Sequence, residues 1–418
     1  MQRAKCVTLL VLLLSCACAL VAPPAPTPQQ TPRPTSTPTP APTPTPVPLG
    51  TGPLSANGAE LVDVAGRPVR LTGVNWSGME SSSFAPFGLA SRSLDDILDQ
   101  IAAVGFNTLR LPFSNQLLEP GTRPSNINLL LNPQLKDVSG LELLDRVVDG
   151  ARQRGLRIIL DRHYPSAGWL TDLWYTPQVS EARWVEDWVM LARHYRSNEA
   201  VIGADLTNEP HGAATWGDDN PGTDWRLAAE RAGNAILQAN PDWLIIVEGI
   251  QQSSGTAYWW GGNLRGAGWA PVRLVNPQRL VYSAHDYGPS ISWQTWFQGP
   301  DFASNLPQVW STNWAYLQQG GIAPVLVGEF GGRSIGQDIE GVWQRSLITF
   351  LEQGGYSYMY WVWNPDGWTG GVLLDDRGTL DQNKLALLAP GPLLGSRQMS
   401  ALTPIPGPTT LVTAADRR

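Results

Sequence analysis

Eight short, mostly apolar runs recur along the chain, at positions 69–74, 106–111, 156–160, 201–206, 243–247, 280–284, 324–327 and 357–362. Each has the length of a strand, and most lack the polar alternation of a strand with one face in water, so they predict strands buried on both faces. Between most of them lie segments with apolar residues at helical spacing: 94–104, 141–154, 182–195, 225–239, 306–318 and 339–352. Several of these close on glycine just before the next run, as in Val104-Gly105-Phe106, Arg154-Gly155-Leu156 and Gly320-Gly321-Ile322, the signal of a helix C-cap. Buried parallel strands joined by helical crossovers form either an open sheet or a closed (β/α)8 barrel, and a count of eight favours closure. No glycine-rich dinucleotide fingerprint follows an early strand, which weakens the open-sheet alternative. Ahead of the first run, positions 55–71 alternate apolar and polar residues around Ala65-Gly66, which predicts a β-hairpin turning there and plugging the bottom of the barrel.

The termini follow other rules. Arg3 and Lys5 precede an apolar run at 7–14, and Ala17-Cys18-Ala19 offers small residues for cleavage, so 1–19 is expected to be a secretory signal. Leu14-Ser15-Cys16 also resembles a lipobox, which leaves lipid attachment at Cys16, and with it a membrane tether, as the alternative. Positions 20–50 are a Pro/Thr-rich linker that has nothing to bury and is expected to be disordered and extended. The barrel domain is assigned to 51–393, and 394–418, rich in Pro, Gly, Ser and Thr, to a flexible tail. All three cysteines (Cys6, Cys16, Cys18) lie in the leader, so the barrel has neither disulfide nor thiol chemistry.

Composition narrows the partner. A net charge of −7 argues against nucleic acid. Tryptophan, 19 in 418 residues, is several-fold above ordinary usage, while charged residues are only 16%. Flat indole faces suit the C–H faces of sugar rings, so about half of these tryptophans are expected in the core and half along a groove for a neutral polymer.

The chemistry gathers where strands end. Such ends in a barrel open on one face, where sites are built. Here they carry Arg110-Leu111-Pro112, Asp161-Arg162-His163-Tyr164, Asn208-Glu209-Pro210-His211, His285-Asp286-Tyr287, Gly328-Glu329-Phe330 and Trp361-Val362-Trp363-Asn364. Three of the four histidines (His163, His211, His285) fall there, and His194 lies in a helical segment. Taken singly, each serves equally well as a hydrogen-bonded structural histidine; together they point to a site. No His-x-x-x-His or tight carboxylate spacing implies a metal, and no motif implies a cofactor. Glu209 and Glu329 would face each other across the mouth, as glycosidic bond cleavage requires: one carboxyl protonates the departing oxygen and the other attacks the anomeric carbon.

On these motifs, together with Gly73-Val74-Asn75-Trp76, the chain resembles glycoside hydrolase family 5, and within it the bacterial endo-β-1,4-glucanases, over about positions 54–380. The resemblance implies a (β/α)8 fold and a retaining reaction on a β-glucan, with Glu209 as acid/base and Glu329 as nucleophile. It implies further that Asn208 holds the sugar 2-hydroxyl, that Arg110 and Tyr287 hydrogen-bond the nucleophile, that His163 and His285 line the pocket, and that Trp363 is a platform beneath the attacked sugar. Trp76, His211, Trp216, Trp260, Gln294 and Trp368 are expected along the groove. A mannanase or mixed-linkage glucanase would use the same machinery, because loops choose the sugar. A carbohydrate-binding protein without catalysis would need no carboxylate pair.

Overall fold

The computed structural model describes residues 52–388. The signal segment, the linker and the tail expected at 394–418 lie outside the described residues. Eight parallel strands close into a barrel: β1 Thr72–Asn75, β2 Thr108–Ser114, β3 Arg157–Tyr164, β4 Val201–Asp205, β5 Leu244–Glu248, β6 Leu280–His285, β7 Val325–Phe330 and β8 Ser357–Tyr360. Each strand pairs with the next in chain order, and Tyr358 opposite Thr72 closes the ring. Helices α1 Leu94–Val104, α2 Gly140–Gln153, α3 Glu181–His194, α4 Trp225–Ala239, α5 Phe302–Trp310, α6 Ile339–Gln353 and α7 Gln382–Leu388 accompany the barrel.

Local chemistry starts these helices where the sequence breaks its period. Ser93, Ser139, Ser180, Asp224 and Asp338 each accept a backbone N–H three residues ahead, and Ser139 with Glu142 forms a reciprocal capping box. Gly105 ends α1 at φ 105°, where a side chain would be strained. The segment expected as one helix at 306–318 departs from that form. Helix α5 passes into a π-helical stretch, Ser311–Ala315, and then the turn Tyr316–Gln319. Pro307 has no N–H for the ladder, and the side chains of Thr312 and Asn313 donate to the Gln308 and Val309 carbonyls, competing for the acceptors a regular helix uses.

The N-terminal hairpin is present, but its turn is not at Ala65-Gly66. Strands Ser55–Asn57 and Glu60–Val62 turn at Gly58-Ala59, where Gly58 supplies φ 60°. Ala65-Gly66 belongs to a second turn, held by the Asp63 carboxylate on the Ala65 and Arg67 N–H groups, which returns Pro68 beside Val62. Leu54 and Leu61 pack into the barrel against Ile159, Ile202, Leu244, Ile246, Val281, Leu326 and Met359, so the hairpin does plug the floor. Above that floor the interior turns polar, with Asn75, Arg110, Asp161, Asp205, Glu248 and His285 all fully buried. Twelve of the 19 tryptophans are buried, so the composition reports mainly on the core. Trp184 and Trp188, for example, both donate to the Leu206 carbonyl just past β4.

Candidate active site

Arg110 on β2 is the hub. Its Nε donates to Asp205 at 2.9 Å, Nη1 to Asn75 at 3.0 Å and Glu329 at 2.6 Å, and Nη2 to Asn208 at 3.3 Å and Glu248 at 3.0 Å, while Asp161 lies 3.1 Å from Nη1. Burial alone would weaken this cation, but Asp161, Asp205, Glu329 and Glu248 outweigh it and hold the guanidinium well above even its usual range. The cluster shares its protons unevenly. Burial, with Glu248 and Asp161 beside it, pushes Asp205 well above the usual carboxylate range despite Arg110. Asp161 goes the other way: burial opposes its charge, but Arg110 and His163 hold its pKa low.

Glu329, near the end of β7, also accepts from the Tyr287 hydroxyl at 2.8 Å. Burial, reinforced by the Glu329 and Glu209 charges, keeps that phenol protonated and therefore a donor. The β6–β7 register shifts between Ala284 and His285, a bulge that falls where side chains must be aimed into the mouth. Glu209 lies four residues past the end of β4, with 17% of its side chain exposed. His285 Nδ1 is 3.0 Å from Glu209 Oε1 and 3.6 Å from Glu329 Oε2. A carboxylate oxygen of Glu209, a ring nitrogen of His285 and a carboxylate oxygen of Glu329 lie within 4.8 Å of one another. His163 pairs with Asp161 at 2.6 Å; burial would lower its pKa, but Asp161 raises it to about 9.

Asp161, His163 and Glu329, and likewise Asp161, Asp205 and Glu248, also cluster closely enough to hold a metal ion. Their oxygens, however, already accept from or face Arg110 and the two histidines, whose positive charge occupies the place a cation would take.

The outer residues divide. Trp260 is 39% exposed and stacks on His211, ring centroids 3.9 Å apart, in the loop beyond β5. His211 in turn binds the Glu209 carbonyl at 2.6 Å and lies 3.3 Å from Asp172. Trp368 is exposed with the Arg333 guanidinium over its ring, and Gln294 is half-buried ahead of the turn Thr295–Phe297. Trp76 and Trp216, expected along the groove, are core residues instead: their indoles are buried and donate to the Phe87 and Ala270 carbonyls. Trp363, expected as the platform, is also buried, at 1% exposure. Its neighbour Trp361 is half-buried and lies parallel to the His163 ring at 5.4 Å. Sequence reasoning gave no role to Asn75, Asp161, Asp205, Glu248 or Trp361; the available signal for the acids was a carboxylate ending or interrupting an apolar run.

A closed parallel barrel whose open end holds two facing carboxylates among arginine, tyrosine and histidine partners fits the glycoside hydrolase class. The model for Cellulase (glycosyl hydrolase family 5) matches residues 62–367. An endoglucanase of Paenibacillus polymyxa is 49% identical over 336 residues, covering 79% of this chain and 85% of its own. The catalytic domain of the major endoglucanase from Xanthomonas campestris pv. campestris is a solved structure 38% identical, TM-score 0.77, covering 82% of this chain and 100% of that one. A cellotetraose complex of the Pyrococcus horikoshii endocellulase is 37% identical, TM-score 0.76, covering 81% and 98%. The chain belongs to glycosyl hydrolase family 5 and is an enzyme that hydrolyses O-glycosyl bonds.

Proposed function

We propose that this enzyme is a retaining endo-β-1,4-glucanase that cuts internal bonds of cellulose or soluble β-glucans. The observation that supports the retaining reading is the approach of one oxygen of Glu209 and one of Glu329 to within 4.8 Å, compatible with the carboxyl separation of roughly 5–5.5 Å used in double displacement. Glu329, held by Arg110 and Tyr287, attacks the anomeric carbon as Glu209 passes a proton to the departing glycosidic oxygen. Water then donates a proton to Glu209 as its oxygen displaces Glu329. Arg110 favours the ionised nucleophile and Tyr287 fixes its orientation. Asn208, whose Oδ1 is engaged by Arg110, turns its amide nitrogen to the sugar 2-hydroxyl, a contact that strengthens as positive charge grows on the ring.

Endo action on a glucan is supported by the names of the relatives and by exposed tryptophans in the loops after several strands: Trp169 after β3, Trp260 after β5, Trp293 after β6 and Trp368 after β8. Export rests on the leader pattern and on a relative named a major extracellular endoglucanase. N-terminal mass spectrometry of the mature protein separates cleavage near Ala19 from lipid attachment at Cys16. Among the described residues no helix is long and apolar enough to cross a membrane.

The test is proton NMR of cellotetraose digestion, in which the β-anomer is expected as the first product; the α-anomer appearing first would refute double displacement. In a panel of carboxymethyl cellulose, lichenan, glucomannan and xylan, the first two are expected to be cut fastest. Cleavage of glucomannan predominantly at mannosyl bonds, read from the sugar at the new reducing ends, would make the enzyme a mannanase.

A further inference from the structure

Glu248, the last residue of β5, is fully buried and faces two hydrogen-bond donors and a histidine ring. Its Oε2 accepts the backbone N–H of Glu209 at 2.7 Å. Its Oε1 accepts from Arg110 at 3.0 Å and lies 3.2 Å from Nε2 of His285, whose other nitrogen meets Glu209 Oε1 at 3.0 Å. We propose that Glu248 is the positioning residue of the acid/base: one oxygen holds the backbone of Glu209, and the other holds its side chain through His285. The proposal rests on Glu209 being the acid/base.

Two further features of the site favour it. Glu209 has φ 52°, a left-handed conformation that a side chain resists, and its own N–H is the one Glu248 takes, so a charge-assisted hydrogen bond opposes relaxation of the strained residue. The loop carrying Trp260 also closes over Glu248 at Gly261, where an added Cβ would lie 2.4 Å from Glu248 Oε2 and 3.2 Å from the His285 ring. No larger residue fits there without displacing the carboxylate.

The consequence is a fixed donor. Nε2 of His285 is 3.2 Å from Glu248 Oε1, an ion-pair approach without the alignment of a hydrogen bond, and a doubly protonated His285 presents Nδ1–H to Glu209. Burial opposes that charge, but Glu248 and Glu329 outweigh burial and hold the ring well above its usual range. When the Glu209 proton moves to the glycosidic oxygen, the new carboxylate already faces an N–H; when water returns a proton, that contact weakens. The ring and Glu248 exchange no net proton. The other ionisable groups facing this chain are Arg110 from β2, Asp161 from β3, Asp205 from β4, Glu329 from β7, and Tyr287 beyond β6.

The experiment compares Glu248→Gln, Glu248→Asp and Glu209→Gln with the parent enzyme. Glycosyl-enzyme formation is measured on cellotetraose and on dinitrophenyl β-cellobioside, whose leaving group needs no proton, and imidazole ¹⁵N NMR follows the four histidines. Glu248→Gln is expected to slow cellotetraose cleavage on the order of 10–100-fold and the aryl substrate about 5-fold or less, and to leave His285 singly protonated at neutral pH. Glu248→Asp keeps the charge, so it should keep the ring doubly protonated, and it reports on the ring should the glutamine variant not fold. The proposal is overturned if folded Glu248→Gln slows both substrates equally or neither, or if His285 stays doubly protonated in it. Glu209→Gln is the separate control: equal slowing of both substrates there would overturn the acid/base assignment itself.

Discussion

At the scale of single residues, the two tryptophans after β8 have opposite fates despite lying two positions apart. Trp363 is 1% exposed and belongs to the core, whereas Trp361 is half-buried and parallel to His163. An indole that serves substrate has to offer a face, and only Trp361 retains one. Trp361→Ala is therefore expected to lower kcat/KM on cello-oligosaccharides about 10-fold or more with little change in Tm, while Trp363→Ala removes a packed side chain and should destabilise the fold by about 3–5 kcal/mol. The reverse pattern in steady-state kinetics and thermal unfolding would return the platform to Trp363. The error has a physical source: both are tryptophans past the same strand, and sequence alone gives no burial. The same limit explains the acids. Glu209 and Glu329 were legible because each stands out in a recognisable motif. Asp205 and Glu248 sit within or at the end of apolar runs, and only barrel closure shows that they turn inward beneath Arg110.

At the scale of elements, strand and helix order could be read from periodicity because buried parallel strands and amphipathic helices carry different repeats. The expected helices at 94–104 and 225–239 match α1 and α4 end to end. What periodicity could not show was how side chains rewrite a ladder, as Thr312 and Asn313 do after α5, or which of two glycine turns closes a hairpin. The hairpin gives this scale its test. Leu61, on its second strand, is 5% exposed and helps close the barrel floor, on the side of the apolar layer away from the carboxylates. Leu61→Ala should cost about 2–4 kcal/mol in urea unfolding while leaving kcat at parent level where the variant is folded. A matching fall in kcat in the folded variant would show that the floor also sets the geometry of the mouth.

At the scale of the whole molecule, the buried titratable groups set how stability depends on pH. Burial raises Glu80 from 4.5 and Asp286 from 3.8, both to about 7; Asp286 reaches that value although Tyr258, Trp343 and Trp314 donate to it. His163 rises from 6.5 to about 9 because Asp161 outweighs its burial. All three bind their protons more tightly in the folded chain than in the unfolded one. Their contribution is therefore complete below the unfolded pKa values and is lost as pH climbs through 7 for the two acids and through 9 for the histidine. Asp161 has the opposite sign: Arg110 and His163 lower its pKa against the effect of burial, so its contribution is present above 3.8 and fades in stronger acid. The two trends together place these groups' largest contribution in mild acid, at about pH 4–4.5, and their share of Tm is expected to fall from there to pH 9. Glu80 allows one contribution to be isolated, because its Oε2 accepts the Gly78 N–H at 2.6 Å and a glutamine can make the same bond without a charge. Glu80→Gln should flatten the loss between pH 4.5 and 7 by at most about 3 kcal/mol and leave the fall toward pH 9 in place. A stability curve that rises from pH 5 to 9, or a Glu80→Gln curve parallel to that of the parent enzyme, would show that these protons are not what couples the fold to pH.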